Sequence, residues 1–152
     1  MKIADFVAQV KSGQKTARAF AEEALAKARE VEEYHALLAL TEERALERAD
    51  EIDAKVREGQ DAGKLAGVPF VVKDNYLAFG APSTAASKIL ENFDAPIQAT
   101  VVEKLEAEGA ICIGKSNLDA FAHGGSTENS AYGVTHNAID TTKVAGGSSG
   151  GS

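Results

Sequence analysis

The sequence predicts an α/β protein in which N-terminal helices precede part of a largely parallel sheet. Apolar residues recur at helical spacing through the first sixty residues. Beyond residue 63, two short apolar segments flank a further helical segment, which is the strand–helix–strand order of parallel sheets. The 152 residues are 44% hydrophobic and 26% charged, as in an ordinary folded domain. We therefore expect one domain over 1–152, with a helical region at 1–60 and the start of an α/β core at 61–152.

Charge and cysteine content limit the classes of function. A net charge of −7 disfavours binding of nucleic acid or an anionic membrane by the chain itself. The lone Cys112 cannot form an internal disulfide, which predicts a reducing compartment. No apolar run approaches the ~18 residues of a membrane span, and the N-terminus lacks the apolar stretch of a secretory signal. We expect a cytoplasmic protein.

The helical region contains two clear helix starts. Thr16 is the predicted N-cap of a helix with an apolar stripe that includes Phe20 and Leu25. Thr41 is the predicted cap, through its hydroxyl, of a second helix that ends at Gly59. Between the helices, the apolar residues 36–40 fit a strand or a helix equally well.

The second part of the chain predicts two buried strands around a helix. Residues 67–72 form a β-branched run that predicts a strand. Residues 100–103 match a capping box, which predicts a helix that ends before Gly109. Residues 110–113 predict the second strand. Beyond Asn117 the chain is rich in Gly, Ser, Thr and Asn, and long segments of this kind are either functional or disordered.

Three features have a structural interpretation that we favour over a functional one. Residues 109–116 match the phosphate-loop pattern G-x-x-x-x-G-K-[ST], but a helix precedes them and their variable residues have strand character. Cys112 lies in the same apolar strand and is interpreted as a core residue. Three histidines, at positions 35, 123 and 136, lack further ligands at a recognised metal spacing, so we expect no metal site.

Lys73 and the terminal segment 146–152 each allow two interpretations. Lys73 follows a strand, so it is either a surface residue or an amine near the interior, where burial disfavours the charged form and favours a role as a base. Asp74 is expected on the opposite face of the strand. The segment Gly-Gly-Ser-Ser-Gly-Gly-Ser is either a flexible linker or a tight turn that presents Ser148 or Ser149 to a base. The residues alone do not decide between these alternatives.

Six motifs, in order, resemble those of the amidase signature family. They run from the lysine strand to the Gly/Ser segment, at residues 67–75, 84–93, 99–105, 114–119, 126–130 and 146–152. Residues 84–93 are similar in particular to the A subunits of tRNA-dependent amidotransferases. The resemblance covers the chain from Gly67 onwards, and it implies the mixed sheet of the amidase signature fold, incomplete at the C-terminus of this chain.

The resemblance also implies site residues. Lys73 is the base of a Ser-cisSer-Lys triad, and Ser148 relays protons between Lys73 and a nucleophilic serine. The peptide bond before Ser148 is expected to be cis, within a turn formed by Gly146, Gly147, Ser149 and Gly150. Substrate contacts are implied for Gly125, Ser126 and Thr127. The chain departs from the family pattern, which often has Met at His123, Ser at Gly125 and Pro at Ala145.

The implied reaction is hydrolysis of the glutamine amide through a γ-glutamyl ester. The ammonia passes to a partner protein, which converts Glu-tRNA(Gln) to Gln-tRNA(Gln), with Asp-tRNA(Asn) left open as a second substrate. The implied partners are the amidotransferase subunits B and C in a heterotrimer, which uses ATP and Mg²⁺, while this chain is expected to bind no cofactor. The family's nucleophile lies beyond Ser152, so we expect an N-terminal fragment that is inactive alone. The alternatives are a stand-alone small-amide amidase and a non-catalytic interaction fragment.

Overall fold

The computed structural model describes residues 2–152 and has the predicted α/β architecture. Its regular elements are α1 (Ile3–Lys11), α2 (Ala17–Glu30), β1 (Leu37–Leu40), α3 (Glu42–Arg57), β2 (Pro69–Lys73), α4 (Thr100–Ala107) and β3 (Ile111–Ser116). Beyond β3 the described chain is mostly irregular, with one short 3₁₀ turn at Ala120–Ala122. No helix within residues 2–152 is long and apolar enough to cross a bilayer.

The three strands form one mixed sheet in the order β1-β3-β2. Strands β2 and β3 are parallel neighbours joined through α4, which is the predicted strand–helix–strand unit. Strand β1 pairs with β3 in the antiparallel direction. The helical region over 1–60 thus contains one strand, because backbone pairing with β3 gives the apolar segment at 37–40, which periodicity left open, a strand conformation.

One predicted capping contact is confirmed and two are absent, although Thr41 is the N-cap residue of α3, as predicted. The Thr16 hydroxyl accepts a hydrogen bond from the amide of Ala19, as predicted. The Thr41 hydroxyl instead donates to the carbonyl of Cys112 in β3, at 2.8 Å, so a tertiary contact outcompetes the local one. Helix α4 has no capping box, because Thr100 is already its first helical residue and Ala99 is the N-cap.

The core consists of two apolar layers, one on each face of the sheet. One layer packs helices α2 and α3 against β3 and includes Phe20, Leu25, Ile52, Ile111 and Ile113. The opposite layer contains Val72, Ala78, Val102 and Cys112. Cys112 is thus a core residue, as predicted, and burial raises the pKa of its thiol.

Lys115, near the end of β3, is completely buried and points into the protein. Its ammonium donates to the carbonyl of Tyr76 at 2.9 Å and to the hydroxyl of Ser83 at 2.8 Å. The same ammonium lies 3.1 Å from Oδ1 of Asp74, in an ion pair whose side chains are 0% and 1% exposed. Residues 109–116 therefore do not form a phosphate loop, because their variable residues lie in β3 and their lysine binds internal partners.

Replacing this lysine tests the buried ion pair. We expect Lys115→Met to lower the free energy of unfolding by about 3–5 kcal/mol, because it leaves the Asp74 carboxylate buried without a cation. The double variant with Asp74→Asn should recover part of the loss. Urea unfolding followed by circular dichroism measures both changes.

Lys27→Met is the matched control, since Lys27 forms an exposed ion pair with Glu30 at 2.9 Å. Its unfolding midpoint should stay close to that of the wild type. Equal losses for the Lys27 and Lys115 variants would contradict the stabilising role of the buried pair.

Candidate active site

Lys73 and Ser148 meet at the end of strand β2. Lys73 is the last residue of β2, and its Nζ donates to Oγ of Ser148 at 2.7 Å across a separation of 75 residues. The lysine is half-buried. It is therefore neither a freely solvated surface residue nor a fully enclosed one, and its amine contacts a single serine hydroxyl.

The neighbouring acid lies on the opposite side of the strand. Asp74 contacts Lys115 and accepts hydrogen bonds from the amide and the hydroxyl of Thr84. This arrangement agrees with the alternation expected along a strand. The Lys73 amine consequently has no carboxylate partner among residues 2–152, and its one side-chain hydrogen bond goes to Ser148.

The Gly/Ser segment is a tight turn held by its neighbours. The peptide bond between Gly147 and Ser148 is cis, as the resemblance implies. The carbonyl of Ser148 accepts a hydrogen bond from the amide of Asp119 at 3.1 Å. The amide of Gly151 donates to the carbonyl of Asn117 at 3.0 Å. A flexible linker lacks such fixed partners, so the linker interpretation is wrong.

Close packing also explains why glycine occupies this turn. A Cβ atom on Gly147 would lie 2.3 Å from Oδ2 of Asp119. A Cβ atom on Gly150 would lie 2.2 Å from Oγ1 of Thr127. Both distances are far below van der Waals contact, so glycine is required by the space available at these positions.

The structure distinguishes between the two serines at the centre of the turn. Ser148 is half-buried and faces Lys73, whereas Ser149 is exposed. The carbonyl of Ser149 accepts a hydrogen bond from the amide of Ser152 at 3.0 Å. The remaining turn residue, Gly146, has a φ of +95°, in the region that favours glycine.

The three residues with implied substrate contacts occupy different environments. Gly125 is exposed, and a Cβ atom there would meet nothing within 4 Å, so open space lies beside it. Ser126 is half-buried. Thr127 is completely buried, and its hydroxyl donates to the carbonyl of Gly146 at 2.7 Å and accepts from the amide of Gly150 at 3.0 Å. The Thr127 hydroxyl therefore contacts the turn.

Two residues of the site were not identified from the sequence. Asn117 and Asp119 are buried directly after β3, and their backbones hold the turn. The Oδ2 atom of Asp119 has no hydrogen-bond partner within residues 2–152. Their position in the sequence could have identified them, because polar residues at the carboxyl end of a buried parallel strand commonly line binding or active sites.

The three histidines do not form a metal cluster. The rings of His35 and His136 are 5.8 Å apart, while His123 is exposed. In the part of the chain that the structure describes, no three His, Cys, Asp or Glu side chains are arranged to hold a metal ion.

Comparisons with known proteins identify the family of this chain. The family model described as Amidase matches residues 19–152. The A subunit of the glutamyl-tRNA(Gln) amidotransferase from Gloeobacter violaceus is 53% identical over 95% of this chain and 30% of the relative. The corresponding protein of Trichodesmium erythraeum is 46% identical over 99% of this chain and 31% of the relative. The chain thus spans about a third of the length of these relatives.

Solved structures show the same relationship. A structure described as a vestigial protein complex, linked to the origins of an s-triazine catabolic enzyme, matches with a TM-score of 0.94 and 40% identity, over 100% of this chain and 34% of that one. The A subunit from Thermotoga maritima matches with a TM-score of 0.58 and 51% identity, over 59% of this chain and 20% of that one. Because the family model covers nearly the whole sequence, the chain belongs to the amidase signature family.

Proposed function

We propose that this chain is the N-terminal part of the A subunit of a glutamyl-tRNA(Gln) amidotransferase, and that it supplies the base and the proton relay for hydrolysis of the glutamine amide. The observation that carries the proposal is the 2.7 Å contact between Nζ of Lys73 and Oγ of Ser148. The choice of an amidotransferase rests on the 46% to 54% identity to curated A subunits.

The proposed chemistry is a two-step proton relay. Ser148 Oγ accepts the proton of a nucleophilic serine as that serine attacks the amide carbonyl of glutamine, and the proton of Ser148 passes to the amine of Lys73. When the tetrahedral intermediate collapses, the protons return by the same route to the leaving nitrogen, which departs as ammonia. Water then hydrolyses the γ-glutamyl ester. The 2.7 Å separation suits either direction of the hydrogen bond between Lys73 and Ser148.

Other segments and subunits carry the remaining parts of the reaction. The nucleophile and the oxyanion donors are expected in the remaining two thirds of the length seen in the relatives. The B subunit receives the ammonia and uses ATP and Mg²⁺ on the tRNA-bound glutamate, while the C subunit completes a cytoplasmic heterotrimer. A net charge of −7 is consistent with tRNA contacts made mainly by the partner.

A stand-alone amidase is the second candidate, favoured by one structural observation. The peptide amidase of Stenotrophomonas maltophilia superposes on 100% of this chain with a TM-score of 0.90 at 28% identity. The amidotransferase protein from Thermotoga maritima superposes on a smaller share, 59%. Fold similarity therefore allows the amidase function, whereas sequence identity favours the amidotransferase.

The role of Lys73 is tested by removing its amine. In the assembled complex we expect Lys73→Ala to lower the rate of glutamine hydrolysis by at least ~10²-fold, because the relay then has no base. Ammonia release in a coupled assay measures the rate. Lys27→Ala, which removes an exposed lysine distant in sequence from the turn, should keep the wild-type rate. Unchanged activity in Lys73→Ala would favour the non-catalytic interaction fragment.

Donor preference and partner dependence separate the two enzyme functions. For the amidotransferase we expect glutamine to exceed simple amides such as propionamide in kcat/KM, and Gln-tRNA(Gln) to form only when the B and C subunits, ATP and Mg²⁺ are present. Acid-gel analysis of the aminoacyl-tRNA and ammonia release measure the two properties. Hydrolysis of simple amides at rates that match glutamine, without any partner, would establish the amidase instead.

A further inference from the structure

The Thr127 hydroxyl joins the two arms of the turn that carries Ser148. The O–H group donates to the carbonyl of Gly146 at 2.7 Å, and the oxygen accepts from the amide of Gly150 at 3.0 Å. These two glycines lie two residues before and two residues after Ser148. One side-chain oxygen therefore fixes the distance between the two ends of the turn.

The backbone conformation of Thr127 indicates that its hydroxyl has a structural role. Thr127 has a φ of +59°, a left-handed conformation that β-branched residues rarely adopt. Glycine or asparagine would fit the backbone better. The residue is also 0% exposed, so its hydroxyl has no water to bind and depends on the two backbone partners.

The hydroxyl also fits the turn without spare space. A Cβ atom on Gly150 would lie only 2.2 Å from Oγ1 of Thr127. Ser148 lies midway between the two glycines that the Thr127 hydroxyl joins. A change in the spacing of the arms therefore moves Ser148 relative to Lys73, which contacts its Oγ.

We propose that Thr127 is a positioning residue for the proton relay and that its hydroxyl holds Ser148 Oγ at hydrogen-bond distance from Lys73. This inference rests on the proposed function, in which Ser148 relays the proton. It gives Thr127 a different role from the substrate contact that the family resemblance implies. Misplacement of a reacting group by about 1 Å costs up to about 10²-fold in rate, so the hydroxyl has a measurable effect on turnover.

The kinetic signature of positioning differs from that of substrate binding. A residue that contacts substrate equally in the ground and transition states changes KM when it is removed. A residue that only orients the relay changes kcat and leaves KM nearly constant. The ratio of the two effects therefore identifies the role of Thr127.

The test compares three variants in the assembled complex. Thr127→Val keeps the shape but removes the hydroxyl, and we expect kcat for glutamine hydrolysis to fall by about 10- to 100-fold with KM within about 2-fold. Thr127→Ser keeps the hydroxyl and should restore kcat to within about 3-fold of the wild type. If the valine variant does not fold, Thr127→Gly replaces it, because glycine suits the observed φ and also lacks the hydroxyl.

Thr41→Val is the matched control. The Thr41 hydroxyl is also buried, and it donates to the carbonyl of Cys112 at 2.8 Å. This bond involves none of the residues that hold the turn at 146–150. We expect this variant to lose thermal stability as Thr127→Val does, but to keep kcat within about 3-fold of the wild type.

Three outcomes overturn the inference: an unchanged kcat in Thr127→Val, a raised KM at constant kcat, or equal losses of kcat in the Thr127 and Thr41 variants. Failure of the proposed function has a different signature, because Lys73→Ala then remains as active as the wild type. An inactive Lys73→Ala together with a fully active Thr127→Val refutes only the positioning role.

Discussion

The parallel pairing of β2 with β3 is the constraint on which the site depends. It places Lys73 beside Ser116 and brings the carboxyl ends of both strands to one edge of the sheet. The alternation of side chains then directs the Lys73 amine towards Ser148, while Asp74 and Lys115 pair in the interior. The residues that follow β3, Asn117 and Asp119, reach the Gly/Ser turn because they leave the sheet at this same edge.

The buried ion pair beneath this edge also orients the loop after β2. An apolar pair of similar volume would avoid the cost of removing two charges from water. The ammonium of Lys115, however, also binds the carbonyl of Tyr76 and the hydroxyl of Ser83, and Asp74 binds Thr84. These directional bonds give the loop after β2 a single arrangement. They also remove Asp74 from the surroundings of Lys73, so that this carboxylate does not compete with Ser148 for its amine.

Local patterns in the sequence predicted the elements whose partners are local. The stripe of Phe20 and Leu25 and the cap at Thr16 needed only nearby residues, and the structure agrees with them. The cap at Thr41 failed because a carbonyl 71 residues away, that of Cys112, binds its hydroxyl. The contact between Lys73 and Ser148 has no local signal either, and only the family resemblance connected the two residues. Periodicity describes one element at a time, whereas sites arise from the ends of several elements.

The segment at 146–152 shows why composition alone could not decide between a linker and a site. The same letters describe a flexible chain when their amides and carbonyls bind water, and a fixed turn when protein groups bind them. Here the backbone groups of Gly146, Ser148, Gly150 and Gly151 have partners at residues 127, 119, 127 and 117. The proposed proton relay needs such fixed distances, since a proton moves only between atoms already in hydrogen-bond contact. Because glycine has no side chain, the neighbouring residues approach the turn closely enough to fix the position of Ser148. A composition typical of flexible linkers therefore forms an ordered turn here.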